Sequence, residues 1–362
     1  MTPTRAADRL LDVLVIDDSA VVRQALGAIL AHARGMTVAA AADPIIAMDK
    51  MRRRRPDVIV LDLEMPRMDG LSFLRKVMSE DPVPVVVCSG VAGRGTEAAL
   101  RAMEEGAVEV IAKPRLAVKE FLEESAILLV DAVRGAAAAR LRPRRSPARA
   151  RPRPGATPPA RHALRVTTDK VVAIGASTGG TEALSEILQA MPPDAPGMVI
   201  VQHMPEVFTR SFAERLDRLC RVEVKEAATG DRVTPGRALV APGNRHTLVV
   251  RSGAHYEVEV RDGPLISRHR PSVDVLFGSV AQAAGPNAVG VILTGMGDDG
   301  ADGLLRMRLA GAATIAQDEE SCVVFGMPKA AIDRGAADSV FPLGSIPGAI
   351  LRRSATWAGV RE

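Results

Sequence analysis

Aromatic residues make up only 2% of the 362-residue chain, so its cores must be built from Val, Ile, Leu, Ala and Met, which the 47% hydrophobic content can supply. So few rings also argue against a single-stranded nucleic-acid reader that stacks bases on aromatic side chains. Cysteine is scarce too. Cys88, Cys220 and Cys322 are isolated, with no CxxC and no His/Cys cluster, a poor basis for a disulfide framework or a zinc centre. The first residues, MTPTRAADRLLDVLVIDD, hold no signal-peptide core, because Asp12 and Asp17 break the apolar run. No segment reaches the uncharged length that spans a bilayer. A cytoplasmic protein without membrane insertion is expected.

Acid is missing from one segment altogether. Residues 134–161 hold nine arginines, no Asp or Glu, and otherwise mostly Pro and Ala. Nine exceeds the net charge of +4, so the rest of the chain is net negative. The basic character therefore belongs to a stretch with almost nothing to bury, not to a folded DNA-binding face. Its prolines disrupt helix and sheet ladders, and like charges extend it. It reads as a linker between two domains, a number the chain length favours. The boundaries are set at 11–130, 131–168 for the linker, and 169–355.

Both flanks alternate strand and helix. LDVLVIDD, PDVIVLDLEMP and VPVVVCSG are apolar runs ending in polar residues, with helix-like stretches such as SAVVRQALGAILAHA between them. In the second flank KVVAIGAS, GMVIVQH and AVGVILTGMGDDG take the strand role. Continuous apolar strands separated by amphipathic helices imply α/β domains with parallel sheets buried on both faces. Functional groups then collect at the carboxyl ends of the strands.

In the first flank those ends carry Asp17 and Asp18, Asp62, Ser89 and Lys113. Clustered carboxylates repel unless a cation bridges them, and their hard oxygens suit Mg²⁺. Asp62 would accept a phosphoryl group, Lys113 and the metal would offset its charge, and Ser89 would hydrogen-bond the attached phosphate. The DD pair, LDLEMPRMDG and KP, in order and at βα spacing, closely resemble the receiver domain of bacterial response regulators. That resemblance implies a flavodoxin-like doubly wound sheet, phosphorylation at Asp62, and Mg²⁺ held by Asp17, Asp18 and Asp62. One departure stands out. Three residues before Lys113 lies Val110, where many receivers carry an aromatic switch residue.

In the second flank, VVAIGASTGGTEAL raises a choice between a phosphate cradle and a nucleophile. The dinucleotide fingerprint needs GxGxxG and an acid at the end of the next strand. Ser177 stands where the second glycine belongs, and the next strand ends in His203. Gly175, Ser177 and Gly179 instead fit GxSxG, a turn that projects a serine above a sheet. A serine hydroxyl needs a base, and the base an orienting carboxylate. His203 and the Asp298–Asp299 pair follow separate strands and supply both types. Their order, Ser…His…Asp, differs from the α/β-hydrolase order. Cys322 lacks an identifiable base and reads as core, and His246 as structural or cleft-lining.

GASTGGTEAL, VQHMP, LTGMGDDGADG and SCVVFGMPKAAI jointly resemble the catalytic domain of the chemotaxis protein-glutamate methylesterase family, over about residues 169–350. The resemblance implies Ser177 as nucleophile, His203 as general base, Asp299 as its orienting acid and the Met296 amide as oxyanion donor, with no cofactor in this domain and no role for Asp298. It implies glutamyl methyl esters of chemoreceptors as substrates, deamidation of receptor glutamines, a chemotaxis histidine kinase as phosphodonor and a monomer. The expected regulation is occlusion, the unphosphorylated receiver covering the strand ends that carry Ser177. A binding module without turnover is the alternative; a DNA-binding regulator would need a basic recognition helix where KVVAIGAS stands.

Overall fold

The computed structural model describes residues 10–65, 68–90, 94–113, 119–141 and 170–355. Five strands form the first sheet: β1 (Leu11–Ile16), β2 (Met36–Ala41), β3 (Val58–Leu61), β4 (Val85–Ser89) and β5 (Glu109–Ala112). Their order is β2-β1-β3-β4-β5, and every pair is parallel. Val13 and Val15 enter one core while Leu14 and Ile16 enter the other. Burial on both faces is why these strands read as unbroken apolar runs. Helices α1 (Ala20–His32), α2 (Pro44–Arg53), α3 (Gly70–Glu80), α4 (Arg94–Glu104) and α5 (Lys119–Ala138) cover them. Ser19, Asp43 and Asp69 cap the first three, accepting from backbone amides of the opening turn.

Helix α5 continues past residue 130, where the linker was expected to begin. Leu129, Ala132, Val133 and Ala136 recur at helical spacing and all pack into the core, so the helix persists to Ala138. The Arg/Pro-rich residues 142–169 lie outside the described residues.

The second sheet has seven strands: β6 (Val171–Ala176), β7 (Gly197–Gln202), β8 (Glu223–Glu226), β9 (Arg237–Val240), β12 (Ala288–Ile292), β13 (Ala313–Gln317) and β14 (Ser339–Phe341). The order is β14-β13-β12-β6-β7-β9-β8, parallel throughout. An antiparallel hairpin, β10 (His246–Ser252) and β11 (His255–Arg261), packs apart from it. The covering helices are α6 (Gly180–Ala190), α7 (Glu206–Leu219), α8 (Val273–Ala283), α9 (Ala301–Leu309), α10 (Met327–Asp333) and α11 (Ile346–Ala355). From β6 the chain winds one way to β7 and later returns to the other side of β6 as β12. This reversal of strand order opens a crevice at the carboxyl ends of β6 and β12.

The receiver packs against that crevice through α4, β5 and α5. Leu100 of α4 belongs to the core of the second domain, and Phe208 of α7 to the core of the first. Arg215 donates to the Leu100 carbonyl and pairs with Glu104. Arg268 pairs with Asp131 at 3.2 Å, and Arg140 with Glu319 at 2.6 Å.

Candidate active site

Register alone brings Ser177 and His203 together. Ala176 at the end of β6 pairs with Gln202 at the end of β7, so the next residues, Ser177 and His203, face each other across adjacent strands. The His203 amide donates to the Ala176 carbonyl at 3.0 Å, extending the ladder by one step. Ser177 itself has ordinary backbone geometry; the sharp turn is made by Gly179, at φ +77°. The turn thus differs from the strained elbow that GxSxG suggests, because the strain is moved to a residue without a Cβ.

Asp299, in the loop after β12, closes the constellation. His203 Nε2 donates to its Oδ2 at 2.8 Å. Val273 N–H gives a second bond to Oδ2 at 2.7 Å, while Ser272 Oγ at 2.7 Å and Asp274 N–H at 3.1 Å serve Oδ1. Burial by itself would raise this carboxyl; the bonds from His203, Ser272 and Val273 outweigh it and hold it below the usual carboxylate range. With Nε2 committed to Asp299, the lone pair of His203 is on Nδ1, which is buried and has no hydrogen-bond partner. No hydrogen bond joins it to Ser177 here. Both residues line one cavity of about 290 Å³, together with Met296, Thr178 and His269.

His269 went unnoticed in the sequence. Its ring stacks on that of His203, centroids 3.7 Å apart and planes within 7°. Burial, and then the neighbouring His203, push it down to about 3 from its ordinary 6.5, so it stays neutral at neutral pH. Nδ1–H of His269 donates to the Ser267 carbonyl at 2.6 Å. Ligand atoms of His203, His269 and Asp299 lie within 4.8 Å of one another, but His203 Nε2 and His269 Nδ1 are taken by Asp299 and Ser267, and the in-plane lone pairs of two parallel rings lie in separate planes. His246 is structural: Nε2–H donates to the Pro264 carbonyl at 2.8 Å, and Nδ1 accepts from Ser272 N–H at 3.2 Å. It thereby steadies the residue that serves Asp299. Asp298 turns outward to Arg334 at 2.7 Å. Cys322 is buried, and desolvation pushes its thiol up to about 12, far from a reactive thiolate.

Two receiver residues reach this site. Thr178 Oγ1 donates to Glu109 at 2.6 Å. Gly135 of α5 lies so close that a Cβ there would sit 2.9 Å from Thr178 Oγ1 and 3.4 Å from Met296 Cβ. Neither could have been placed here from the sequence, since strand and helix patterns do not say which surface meets another domain.

At the receiver's own site, oxygens of Asp17, Asp18 and Asp62 lie within 4.8 Å of one another. Lys113 Nζ is 2.9 Å from Asp17 and 2.8 Å from Asp62. Burial raises the Asp62 carboxyl, against the pull of Lys113. Ser89 ends β4 fully buried, and its carbonyl accepts from Lys113 N–H at 2.9 Å. A set of hard oxygen donors beside one lysine fits a small divalent cation.

A receiver fold with an acidic pocket, joined to a parallel α/β domain carrying Ser, His and Asp at its strand ends, defines a response regulator with a hydrolase-like output domain. Comparison with known proteins agrees for both halves. Residues 13–125 match the response regulator receiver domain and residues 172–350 the CheB methylesterase domain. A protein-glutamate methylesterase/protein-glutamine glutaminase 1 of Anaeromyxobacter dehalogenans is 63% identical over 343 residues, covering 94% of this chain and 98% of the relative. A protein-glutamate methylesterase/protein-glutamine glutaminase 3 of Geobacter metallireducens is 59% identical over 355 residues, covering 94% of this chain and 98% of the relative. The crystal structure of the Thermotoga maritima CheB methylesterase catalytic domain aligns with 40% identity and a TM-score of 0.50, covering 51% of this chain and 98% of that one. The chain belongs to the CheB family of protein-glutamate methylesterases/protein-glutamine glutaminases. No described helix is long and apolar enough to cross a membrane.

Proposed function

We propose that this chain hydrolyses glutamyl methyl esters on chemoreceptors under control of Asp62 phosphorylation, giving feedback adaptation in a chemosensory pathway. One observation carries the reading: Asp299 fixes His203 through Nε2, leaving an unpartnered basic Nδ1 across the strand register from Ser177. The reading requires the serine hydroxyl to reach Nδ1 within the cavity that both residues line. Ser177 Oγ then attacks the γ-carbonyl while Nδ1 takes its proton, and the Met296 amide faces the developing oxyanion. His203 returns the proton to the departing methoxide, and methanol leaves. Water, deprotonated by His203, attacks the acyl-enzyme and frees the glutamate and Ser177. A glutamine side chain follows the same course with ammonia leaving, which supports deamidation as a second activity.

In the receiver, Asp17, Asp18 and Asp62 would hold Mg²⁺, which supplies charge neutralisation for the transferred phosphoryl group. An Asp62 oxygen accepts that group from a histidine kinase, Lys113 pairs with its charge, and Ser89 bonds it. Occlusion is supported by the seam of α4, β5 and α5 against the crevice; phosphorylation releases it. The protein acts as a cytoplasmic monomer. The test is methanol release from methylated receptor with and without a small phosphodonor. Wild type should be stimulated, Asp62→Asn should stay at the basal rate, and Ser177→Ala should be silent in both conditions. Turnover surviving in Ser177→Ala would sink the reading; receptor binding without any turnover in the wild type would make the chain a docking module.

A further inference from the structure

The seam does more than cover the site. We propose that Glu109 is a product analogue built into the chain: it occupies the Thr178 hydroxyl that, in turnover, recognises the γ-carbonyl oxygen of the receptor side chain. This rests on the esterase reading above and names the group that blocks and the group that recognises.

The chemistry matches first. The enzyme's product is a glutamate side chain, and the receiver presents one into the cavity lined by Ser177, His203 and Met296. Its carboxylate accepts from the hydroxyl of Thr178, the residue directly after the nucleophile. That hydroxyl makes no other hydrogen bond among the described residues, so in the open enzyme it is a donor without an acceptor beside Ser177. A buried donor facing an ester carbonyl is a recognition group. Burial pushes Glu109 up to about 7, with Thr178 and then His203 drawing it back; the carboxylate thus lies within electrostatic reach of the catalytic imidazole.

Position in the fold explains the release. Glu109 opens β5, and the same short strand runs Glu109–Ala112 into Lys113, which pairs with Asp62 at 2.8 Å. β5 is held to β4 by Val86↔Glu109 through Ser89↔Ala112. A phosphate on Asp62 that redirects Lys113 and Ser89 acts on a rigid strand whose other end is Glu109. Coupling along the backbone needs no aromatic rotamer switch at Val110.

The experiment uses full-length protein, methylated receptor and methanol release, with or without acetyl phosphate. Without it, Glu109→Ala should lower KM about tenfold with kcat held, the upper end of what one ordinary hydrogen bond contributes. With acetyl phosphate, Thr178→Val should raise KM about fivefold, the worth of a neutral hydrogen bond. Thr178→Ser should keep the wild-type value. In the double variant, Glu109→Ala should bring no further fall in KM. An unchanged KM for phosphorylated Thr178→Val overturns the proposal, because Thr178 would then only fasten the domains. So does a gain in kcat rather than KM in Glu109→Ala. Arg215→Ala, which loosens the same seam elsewhere, is the control: if it lowers KM as much as Glu109→Ala, no occupancy of the subsite is involved. A phosphorylated wild type with no turnover defeats the esterase reading itself, an outcome distinct from all of these.

Discussion

Asp299→Asn replaces one oxygen by a nitrogen and should silence the enzyme. The carboxylate takes four donors on two oxygens: His203 Nε2 and Val273 N–H on Oδ2, Ser272 Oγ and Asp274 N–H on Oδ1. An asparagine offers one acceptor oxygen and an NH₂. If the NH₂ takes the Oδ2 place, it faces the Val273 amide and forces His203 Nε2 to accept. Nδ1 then carries the proton and cannot take one from Ser177. If the NH₂ takes the Oδ1 place, the Ser272 hydroxyl can turn to accept, but the Asp274 amide is stranded. Each orientation strands one backbone donor, Val273 N–H in the first and Asp274 N–H in the second, so stability does not choose between them; in the second, the imidazolium formed during attack faces a neutral amide instead of a carboxylate. Either way the rate loss is on the order of 10⁴, as in serine proteases with the same change, and stability falls by about 1–3 kcal/mol. Methanol release with phosphodonor measures the first and chemical denaturation the second. Imidazole ¹⁵N signals report which ring nitrogen is protonated. A variant retaining a tenth of wild-type activity would refute the role given to Asp299.

Gly135→Ala should open the seam, since the added Cβ meets Thr178 Oγ1 at 2.9 Å. Overpacking costs about 1–3 kcal/mol, while alanine favours helix α5 itself by about 1 kcal/mol. Unphosphorylated turnover should therefore rise about tenfold with the receiver still folded; an unchanged basal rate counts against occlusion. His269 is held at about 3, below its ordinary 6.5. Between those values the unfolded chain binds the extra proton, so its contribution to stability falls as pH drops from about 6.5 toward 3, by about 1.4 kcal/mol per unit. Denaturation across that range should show a shallower decline in His269→Phe, and parallel curves would show that the ring titrates normally.

The sheets and the strand-end positions of Ser177, His203 and Asp299 were legible because both rest on local patterns. A strand buried on both faces must be apolar at every position, and Val171–Ala176 is. Ser177, His203 and Asp299 each follow such a strand. The hairpin β10–β11 went unassigned although HYEVEVR alternates, with Tyr256, Val258 and Val260 inward. The boundary at 130 failed because AVRGAAAAR resembles a spacer, while its small residues are what let α5 approach Met296 and Thr178. His269 carried no signal, since a lone histidine in SRHRPS has no spacing to Ser177. Glu109 is an ordinary acid until a second domain encloses it.

Leu100 and Phe208 each lodge in the other domain's interior. Under the occlusion proposed above, compactness and turnover would draw on the same side chains. A substitution that tightens this mutual insertion would then make the chain sturdier and the enzyme quieter. Evolution toward a robust resting molecule would be bounded by how much work one phosphate could do in prising the halves apart.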